Sequence, residues 1–272
     1  MNQHVETVGG NGVSIETYID GDGASDIVVL PSYGRGVEDF DDFASALAEA
    51  GHRVLRPQPR GIGASTGPMT GVTIDQLGDD VARVIDQLGR GPAVVLGHAY
   101  GSFVARAAAT NTPDKVRAVI LAAASTQAPP RQINEAPFRA GDPDLPEADR
   151  LAALELAFFA PGHDARGWLS GWYPRTLAMQ RSAVAGIDAS RYWSAGSAPI
   201  LEILAELDPF HPKDQWNDLR EQLGARVTSV VVPDASHALF PEQGAAVARI
   251  VDEYMAGIRS GQVAPTTEAQ VR

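Results

Sequence analysis

The chain has 272 residues, of which 44% are hydrophobic and 21% are charged. This length and composition fit one large α/β domain and exclude wholesale disorder. The formal net charge of −12 opposes binding to nucleic acids and to anionic membrane surfaces. The sequence has no cysteine, so disulfide bonds and thiolate metal sites are excluded.

The sequence gives no sign of targeting. Its first ten residues contain neither a basic segment nor an apolar segment of the secretory type, and no run of about 18 apolar residues occurs. We therefore expect a cytoplasmic protein that contacts no membrane. Its six histidines are scattered without a metal-binding spacing, so we expect no metal and no other cofactor. The oligomeric state stays open.

Short apolar runs alternate with segments of helical periodicity along most of the chain. In chain order the pattern predicts strands over 13–18 and 26–30, a helix over 40–47, a strand over 53–56, a helix over 74–88, strands over 93–96, 117–122, 199–204 and 227–232, and a helix over 247–258. Several predicted strands are continuous runs of Val, Ile and Leu, which is typical of strands buried on both faces of a parallel sheet. The pattern therefore predicts a doubly wound α/β domain with a mostly parallel sheet.

The alternation breaks between residues 127 and 198, where turn formers precede a helical piece over 147–159. This interval is rich in aromatic residues. We interpret it as a helical lid inserted over the carboxyl ends of the strands, within a domain of residues 1–259. We expect substrate contacts from Phe158, Trp168, Trp172 and Tyr173. In the alternative interpretation the aromatic residues fill the core of the lid itself. Residues 260–272 are polar and aperiodic, and we expect a disordered tail there.

The segment Gly97-His98-Ala99-Tyr100-Gly101 directly follows the apolar run 93–96. Two glycines in this frame are typical of a nucleophile elbow, a strained strand-to-helix turn with the pattern Gly-x-Ser-x-Gly. Alanine occupies the central position, and a methyl group cannot attack a carbonyl carbon. We expect His98 to pack or to form a hydrogen bond beneath this turn. Ser102 lies in the first helical turn and should point away from Ala99.

Three further features lie where strands are predicted to end. The loop 31–36 follows an early strand and can direct backbone amides at a developing oxyanion. An acidic residue, Asp208 or its rival Glu206, follows the strand 199–204, and His237 follows the last strand. We favour Asp208. The order of turn, acid and histidine along the chain is the order of a hydrolase triad.

Together these motifs resemble the α/β-hydrolase superfamily, over residues 13–258. The resemblance implies that Asp208 is the acid, that His237 is the base and that Ala99 occupies the nucleophile position. It further implies an oxyanion hole formed by the backbone amides of Tyr33 and Tyr100. The chain departs from the family pattern at Pro31-Ser32, where His-Gly is usual, and at Gln58, where Asp is usual. We include Ser32 among the candidate substrate-binding residues.

Three hypotheses explain the missing serine. In the first, the His237–Asp208 pair acts as a general base without a covalent step, in a hydrolysis, lyase or isomerase-type reaction. In the second, the protein is a serine esterase or lactonase inactivated by a serine-to-alanine substitution at residue 99. In the third, it binds a small ligand and catalyses nothing. For the enzyme, we expect a small, largely apolar substrate that contains a carbonyl group.

Overall fold

The computed structural model describes residues 3–125 and 129–260. Eight strands in this part of the chain form one sheet in the order β1-β2-β4-β3-β5-β6-β7-β8. The strands are β1 (Gln3–Gly10), β2 (Val13–Asp20), β3 (Asp26–Leu30), β4 (Arg53–Pro57), β5 (Ala93–His98), β6 (Val116–Ala122), β7 (Ile200–Ala205) and β8 (Val227–Val232). The pairs β1–β2 and β2–β4 are antiparallel, and every other pair is parallel. The predicted mostly parallel α/β sheet is confirmed.

The central strands β3, β4, β5 and β7 are buried along their whole length. Continuous apolar runs therefore identified them correctly, because parallel strands covered by helices on both faces show no polar alternation. The first strand, β1, was missed. Seven of its eight residues are exposed or half-exposed and only Val8 is buried, so it lacks the apolar signal. The Asn11-Gly12 turn that joins β1 to β2 was the available hairpin signal.

The helices in the described residues are α1 (Asp41–Glu49), α2 (Ile74–Leu88), α3 (Gly101–Asn111), α4 (Arg131–Ala140), α5 (Glu147–Ala157), α6 (Pro174–Val184), α7 (Ser190–Trp193), α8 (Asp218–Leu223) and α9 (Leu239–Arg259). Helices α2 and α3 cover one face of the sheet, and α1 and α9 cover the other. The start of α2 is fixed by a capping box, in which Thr73 and Gln76 each accept a hydrogen bond from the backbone amide of the other. None of these helices is long and apolar enough to cross a bilayer.

Residues 129–199, which we call the helical insertion, connect β6 to β7 and contain α4, α5, α6 and α7. The helix predicted over 147–159 corresponds to α5. The insertion has its own hydrophobic cluster around Leu154, Phe158 and Trp168, which also includes Phe210 and Ala238 from the main domain. The first residues of the predicted lid, 127 and 128, and residues 261–272 of the predicted tail lie outside the described residues.

Candidate active site

The turn at residues 97–101 joins β5 to α3 in a conformation that only small residues permit. Ala99 has a φ of +49°, in the left-handed region that side chains rarely adopt. A Cβ added at Gly97 would lie 2.3 Å from the Gly101 carbonyl carbon. A Cβ added at Gly101 would lie 2.4 Å from the Leu30 carbonyl oxygen. The two glycines are therefore required by close backbone approach, and Ala99 is held at the apex of a strained turn.

The side chains of Asp208 and His237 meet beyond the ends of β7 and β8. His237 Nδ1 lies 2.9 Å from Asp208 Oδ2, and both side chains are buried. The other carboxylate oxygen of Asp208 accepts a hydrogen bond from the Phe210 amide at 2.8 Å. Because an ionised carboxylate only accepts hydrogen bonds, Nδ1 of His237 carries the proton and Nε2 has the free lone pair. This tautomer can accept a proton at Nε2.

Aromatic rings fix the plane of the His237 imidazole. Phe210 stacks on it with ring centroids 4.0 Å apart, and Phe158 meets it edge-on at 5.5 Å. The sequence analysis missed Phe210, although an aromatic residue two positions after the acid was a usable signal. The stacking and the bond to Asp208 together hold Nε2 of His237 in a defined direction.

Residues 233–238, which carry His237 and which we call the histidine loop, are supported by His98 from beneath the turn. The position of His98 in the motif predicted this. His98 Nε2 donates a hydrogen bond to the His237 carbonyl oxygen at 2.7 Å. Burial lowers the pKa of His98 from 6.5 to about 3, and the His237 side chain adds to the lowering. His98 is therefore neutral at pH 7 and acts as a fixed backbone support.

Glu242 ties the histidine loop to the helical insertion. Its carboxylate accepts hydrogen bonds from the amides of Ser236 and Ala160, each at 2.6 Å. Burial raises the pKa of Glu242, and the two amides oppose that effect. The Ala238 amide also donates to the Phe158 carbonyl oxygen at 2.6 Å. The backbone on both sides of His237 is therefore anchored to the insertion.

A cavity of about 460 Å³ opens between the 97–101 turn and the insertion. Five predicted site residues line it, namely Ser32, Tyr33, Ala99, Tyr100 and His237. The structure thus brings the predicted base, the alanine apex and the loop at residues 31–36 to one hollow at the carboxyl edge of the sheet. This edge is the usual ligand-binding position in open α/β sheets.

The backbone amides of Tyr33 and Tyr100 are available as donors in this hollow. Within residues 3–125 and 129–260, no group accepts a hydrogen bond from either amide. The two rings pack together with centroids 4.3 Å apart, which fixes the loop against the turn. That these two amides donate to a single oxygen atom that gains negative charge stays a prediction.

The helical insertion holds the loop at residues 31–36, which we call the 31–36 loop. Gln180 accepts a hydrogen bond from the Gly34 amide at 2.7 Å, and the Tyr173 amide donates to the Gly34 carbonyl oxygen at 2.8 Å. Arg35 forms a bidentate ion pair with Asp39 and lies 4.4 Å from the centre of the Trp168 ring. The insertion therefore determines where the Tyr33 amide lies.

The substrate contacts expected from four insertion aromatics stay a prediction, and these residues lie apart from the cavity lining. Phe158, Trp168, Trp172 and Tyr173 are not among the described residues that line the cavity. The first three pack on one another, and the guanidinium of Arg35 lies against the two tryptophan rings. Tyr173 contributes its backbone amide to the 31–36 loop. The aromatic wall of the cavity is formed instead by Tyr33, Tyr100, Phe103, Phe138 and Phe210.

The rival acid Glu206 and the hydroxyl group of Ser102 each have a partner other than His237 in the structure. Glu206 lies toward the surface and pairs with Lys213 at 3.1 Å, which lowers the pKa of Glu206. Ser102 donates its hydroxyl hydrogen to the Gly97 carbonyl oxygen at 2.8 Å. In the part of the chain that the structure describes, no group of three or more acidic or histidine side chains is arranged to hold a metal ion.

Comparison with known proteins identifies the family. The family model described as alpha/beta hydrolase fold matches residues 27–173, which is more than half of the chain. Epoxide hydrolase A from Mycobacterium tuberculosis is 33% identical over 124 residues, or 44% of this chain and 38% of that protein. Mitochondrial palmitoyl-protein thioesterase ABHD10 from Rattus norvegicus is 26% identical over 116 residues, or 41% of this chain and 38% of that protein.

These matches span about two-fifths of the length of each relative. The crystal structure of the enol-lactonase from Burkholderia xenovorans LB400 superposes with a TM-score of 0.73. It is 22% identical and covers 92% of this chain and all of its own, so it shows a shared fold. The family match, the mostly parallel sheet and the strained turn after β5 agree: the chain belongs to the alpha/beta hydrolase fold family.

Proposed function

We propose that this protein is an enzyme that acts on a small carbonyl compound without a covalent serine step. His237, paired with Asp208, serves as the general base, and the amides of Tyr33 and Tyr100 stabilise the oxyanion. The observation that carries the proposal is the buried contact of 2.9 Å between His237 and Asp208 at a cavity that Ala99 also lines. A protein that only binds a ligand has no need of an aligned acid–base pair.

Hydrolysis is the reaction we favour. Nε2 of His237 takes a proton from a water molecule, the oxygen of that water attacks the substrate carbonyl, and the carbonyl oxygen becomes the oxyanion. The imidazolium then returns the proton to the leaving group as the tetrahedral intermediate collapses. The methyl group of Ala99 leaves space for the attacking water where a serine hydroxyl would otherwise lie. Two relatives named as a thioesterase and an epoxide hydrolase support hydrolysis as the class.

We further propose that the helical insertion is the lid of this site. It contributes Phe138, Arg181 and Ile187 to the cavity wall, and its Gln180 holds the 31–36 loop. Exclusion of bulk water by such a wall strengthens the interaction of the free amides with a charged oxygen. The lid would then both close the cavity and hold the loop that carries the Tyr33 amide.

The test compares the wild-type protein with His237→Ala on a panel of p-nitrophenyl esters, thioesters and lactones. For any compound of the panel that the wild type hydrolyses, loss of the general base should lower kcat by about 10²- to 10⁴-fold. His4→Ala is the control, because His4 is exposed on β1 and is not among the cavity residues. Equal turnover by the wild type and His237→Ala would refute the assignment of the base.

An inactivated serine hydrolase is the second candidate, and the backbone of Ala99 favours it. The φ of +49° is retained at a residue without a nucleophilic group, so a serine there would enter a preformed turn. Under this hypothesis Ala99→Ser hydrolyses p-nitrophenyl esters rapidly and is labelled by a fluorophosphonate probe. Our proposal expects no such gain, because its attacking group is water. Labelling of Ala99→Ser together with fast turnover would therefore decide for the second candidate.

A further inference from the structure

The cavity is electrically asymmetric. The residues of the main domain that line it include Ser32, Tyr33, Ala99, Tyr100, Phe210 and His237. None of these side chains carries a full charge while His237 is neutral. All the formally charged groups among the described lining residues belong to the insertion, namely Arg131, Glu135 and Arg181. A ligand in the cavity therefore meets formal charge from the insertion only, as far as the described lining residues go.

Two of these three charges cancel. Arg131 Nε lies 2.9 Å from Glu135 Oε1, one helical turn away on α4. Arg181 has neither an ion-pair partner nor a hydrogen-bond acceptor in the part of the chain that the structure describes. Its guanidinium carbon lies 4.0 Å from the centre of the Phe138 ring, which is another cavity residue. The cavity thus has one uncompensated cation, in a chain whose net charge is −12.

The position of Arg181 is set by the same helix that holds the 31–36 loop. Arg181 follows Gln180 on α6, and Gln180 binds the Gly34 amide. The Phe138 ring, over which the Arg181 guanidinium lies, has its centroid 5.6 Å from that of the Tyr33 ring. Arg181 is itself exposed, and its contact with Phe138 places the guanidinium at the solvent side of the cavity.

We propose that the substrate carries, besides its reacting carbonyl, a carboxylate bound by Arg181, with an apolar segment between the two groups against Tyr33 and Phe138. The placement of the carbonyl rests on the proposed function. One guanidinium presents two parallel N–H donors that match one carboxylate, whereas a phosphate dianion facing this single cation would remain half-neutralised. The expected substrate is thus amphipathic rather than largely apolar.

The experiment measures binding of benzoylpropionate, a phenyl keto acid, and of its methyl ester by isothermal titration calorimetry, together with longer keto acids and their esters. The two members of each pair share the ketone and the ring and differ in charge. The wild type should bind the acid about tenfold more tightly than the ester at low ionic strength. Arg181→Met should abolish this preference and leave ester binding unchanged, and Arg181→Lys should restore part of it.

Arg175→Met is the matched control, because Arg175 is, like Arg181, an exposed arginine of α6 but is not among the cavity residues. It should keep the full preference for the acid. Equal affinity for acid and ester in the wild type, a preference that survives Arg181→Met, or binding of no member of the series would overturn the proposal.

Repeating the comparison in His237→Ala separates the two proposals. Recognition of the carboxylate requires no proton transfer, so the preference for the acid should persist in this variant. If turnover is independent of His237 while Arg181 still selects acids, only the proposed base fails. If turnover depends on His237 but charge selection is absent, only the carboxylate site fails.

Discussion

Individual residues define the shape of the 97–101 turn and the environment of the histidine loop above it. Gly97 and Gly101 allow two backbone segments to approach to distances that a Cβ would prevent. Between them, Ala99 holds a left-handed conformation, and His98 points under the turn to the His237 carbonyl oxygen. Each of these residues therefore has one structural role that a substitution can test.

At Gly101 we expect an alanine substitution to be severely destabilising. The new Cβ would meet the Leu30 carbonyl oxygen at 2.4 Å, and both segments are part of the packed sheet edge. We expect Gly101→Ala to lower the free energy of unfolding in urea by more than about 3 kcal/mol. Gly244→Ala is the control, because Gly244 lies in α9 and a Cβ there would meet nothing within 4 Å. That change should stabilise by about 0.5–1 kcal/mol. Equal effects at the two sites would contradict this explanation.

His98 should contribute to the acid sensitivity of the fold. Its pKa is about 3 in the folded protein and 6.5 as a free side chain, so the unfolded chain binds a proton first as the pH falls. The contribution of His98 to the free energy of unfolding is therefore fully present above pH 6.5 and is lost as the pH falls toward 3. As the pH falls from about 6 to about 4, the free energy of unfolding should decrease in both proteins. The decrease should be steeper in the wild type than in His98→Gln, by about 1.4 kcal/mol per pH unit.

Urea titrations at several pH values measure this slope directly. His98→Gln keeps an N–H donor but does not titrate, so its loss of ring packing should lower stability equally at every pH. Parallel pH profiles for the two proteins would show that His98 is not the group responsible.

At the scale of elements, the helical insertion and the 31–36 loop form one mechanical unit. The insertion supplies Gln180 and the Tyr173 amide to Gly34, and its Trp168 and Trp172 rings pack against the guanidinium of Arg35. The same insertion receives the Ala238 amide at the Phe158 carbonyl oxygen. Motion of the insertion would therefore displace the 31–36 loop and the histidine loop together.

Arg35→Lys tests this coupling. Lysine keeps the charge but loses the bidentate contact with Asp39 and the planar stacking on Trp168. We expect a loss of about 1–3 kcal/mol in the free energy of unfolding and faster proteolytic cleavage within the insertion. Arg131→Lys changes an ion pair whose arginine is 89% exposed, so it should cost less than about 0.5 kcal/mol. A similar small effect at Arg35 would mean that the contact does not brace the insertion.

At the scale of the whole molecule, the sheet separates two hydrophobic clusters, and the insertion adds a third that reaches the active site. Phe210 and Ala238 join this third cluster to the segments that carry Asp208 and His237. Burial is greatest in the centre of the sheet, and β1 at one edge is almost entirely exposed. Local stability should follow this gradient.

Amide hydrogen exchange measured by mass spectrometry can map the gradient. We expect the slowest exchange in β5 and β6, whose amides open only with global unfolding, and the fastest strand exchange in β1. The insertion should be intermediate, because its cluster is smaller but packs on the main domain. Protection of β1 equal to that of β5 would show that the edge strand is covered in solution.

Most of the fold could be predicted from the sequence because its signals are local. Continuous apolar runs marked the buried strands, and helical periodicity marked α2 and α9. The glycine frame at residues 97–101, and the order of acid and histidine after it, pointed to the family before any contact was known. The exposed strand β1 was not predicted, because only one of its residues is buried and it therefore lacks an apolar pattern.

The tertiary structure alone decided which side chains line the cavity. Sequence reasoning placed the insertion aromatics there, but packing turned Trp168 and Trp172 toward Arg35 and brought Phe138 and Phe210 to the wall. It also placed Asp208, and not Glu206, beside His237, and it left Arg181 without an ion-pair partner within the described residues. The physical reason is that periodicity in a sequence reports which residues are buried, whereas the neighbour that each one meets depends on how distant segments dock.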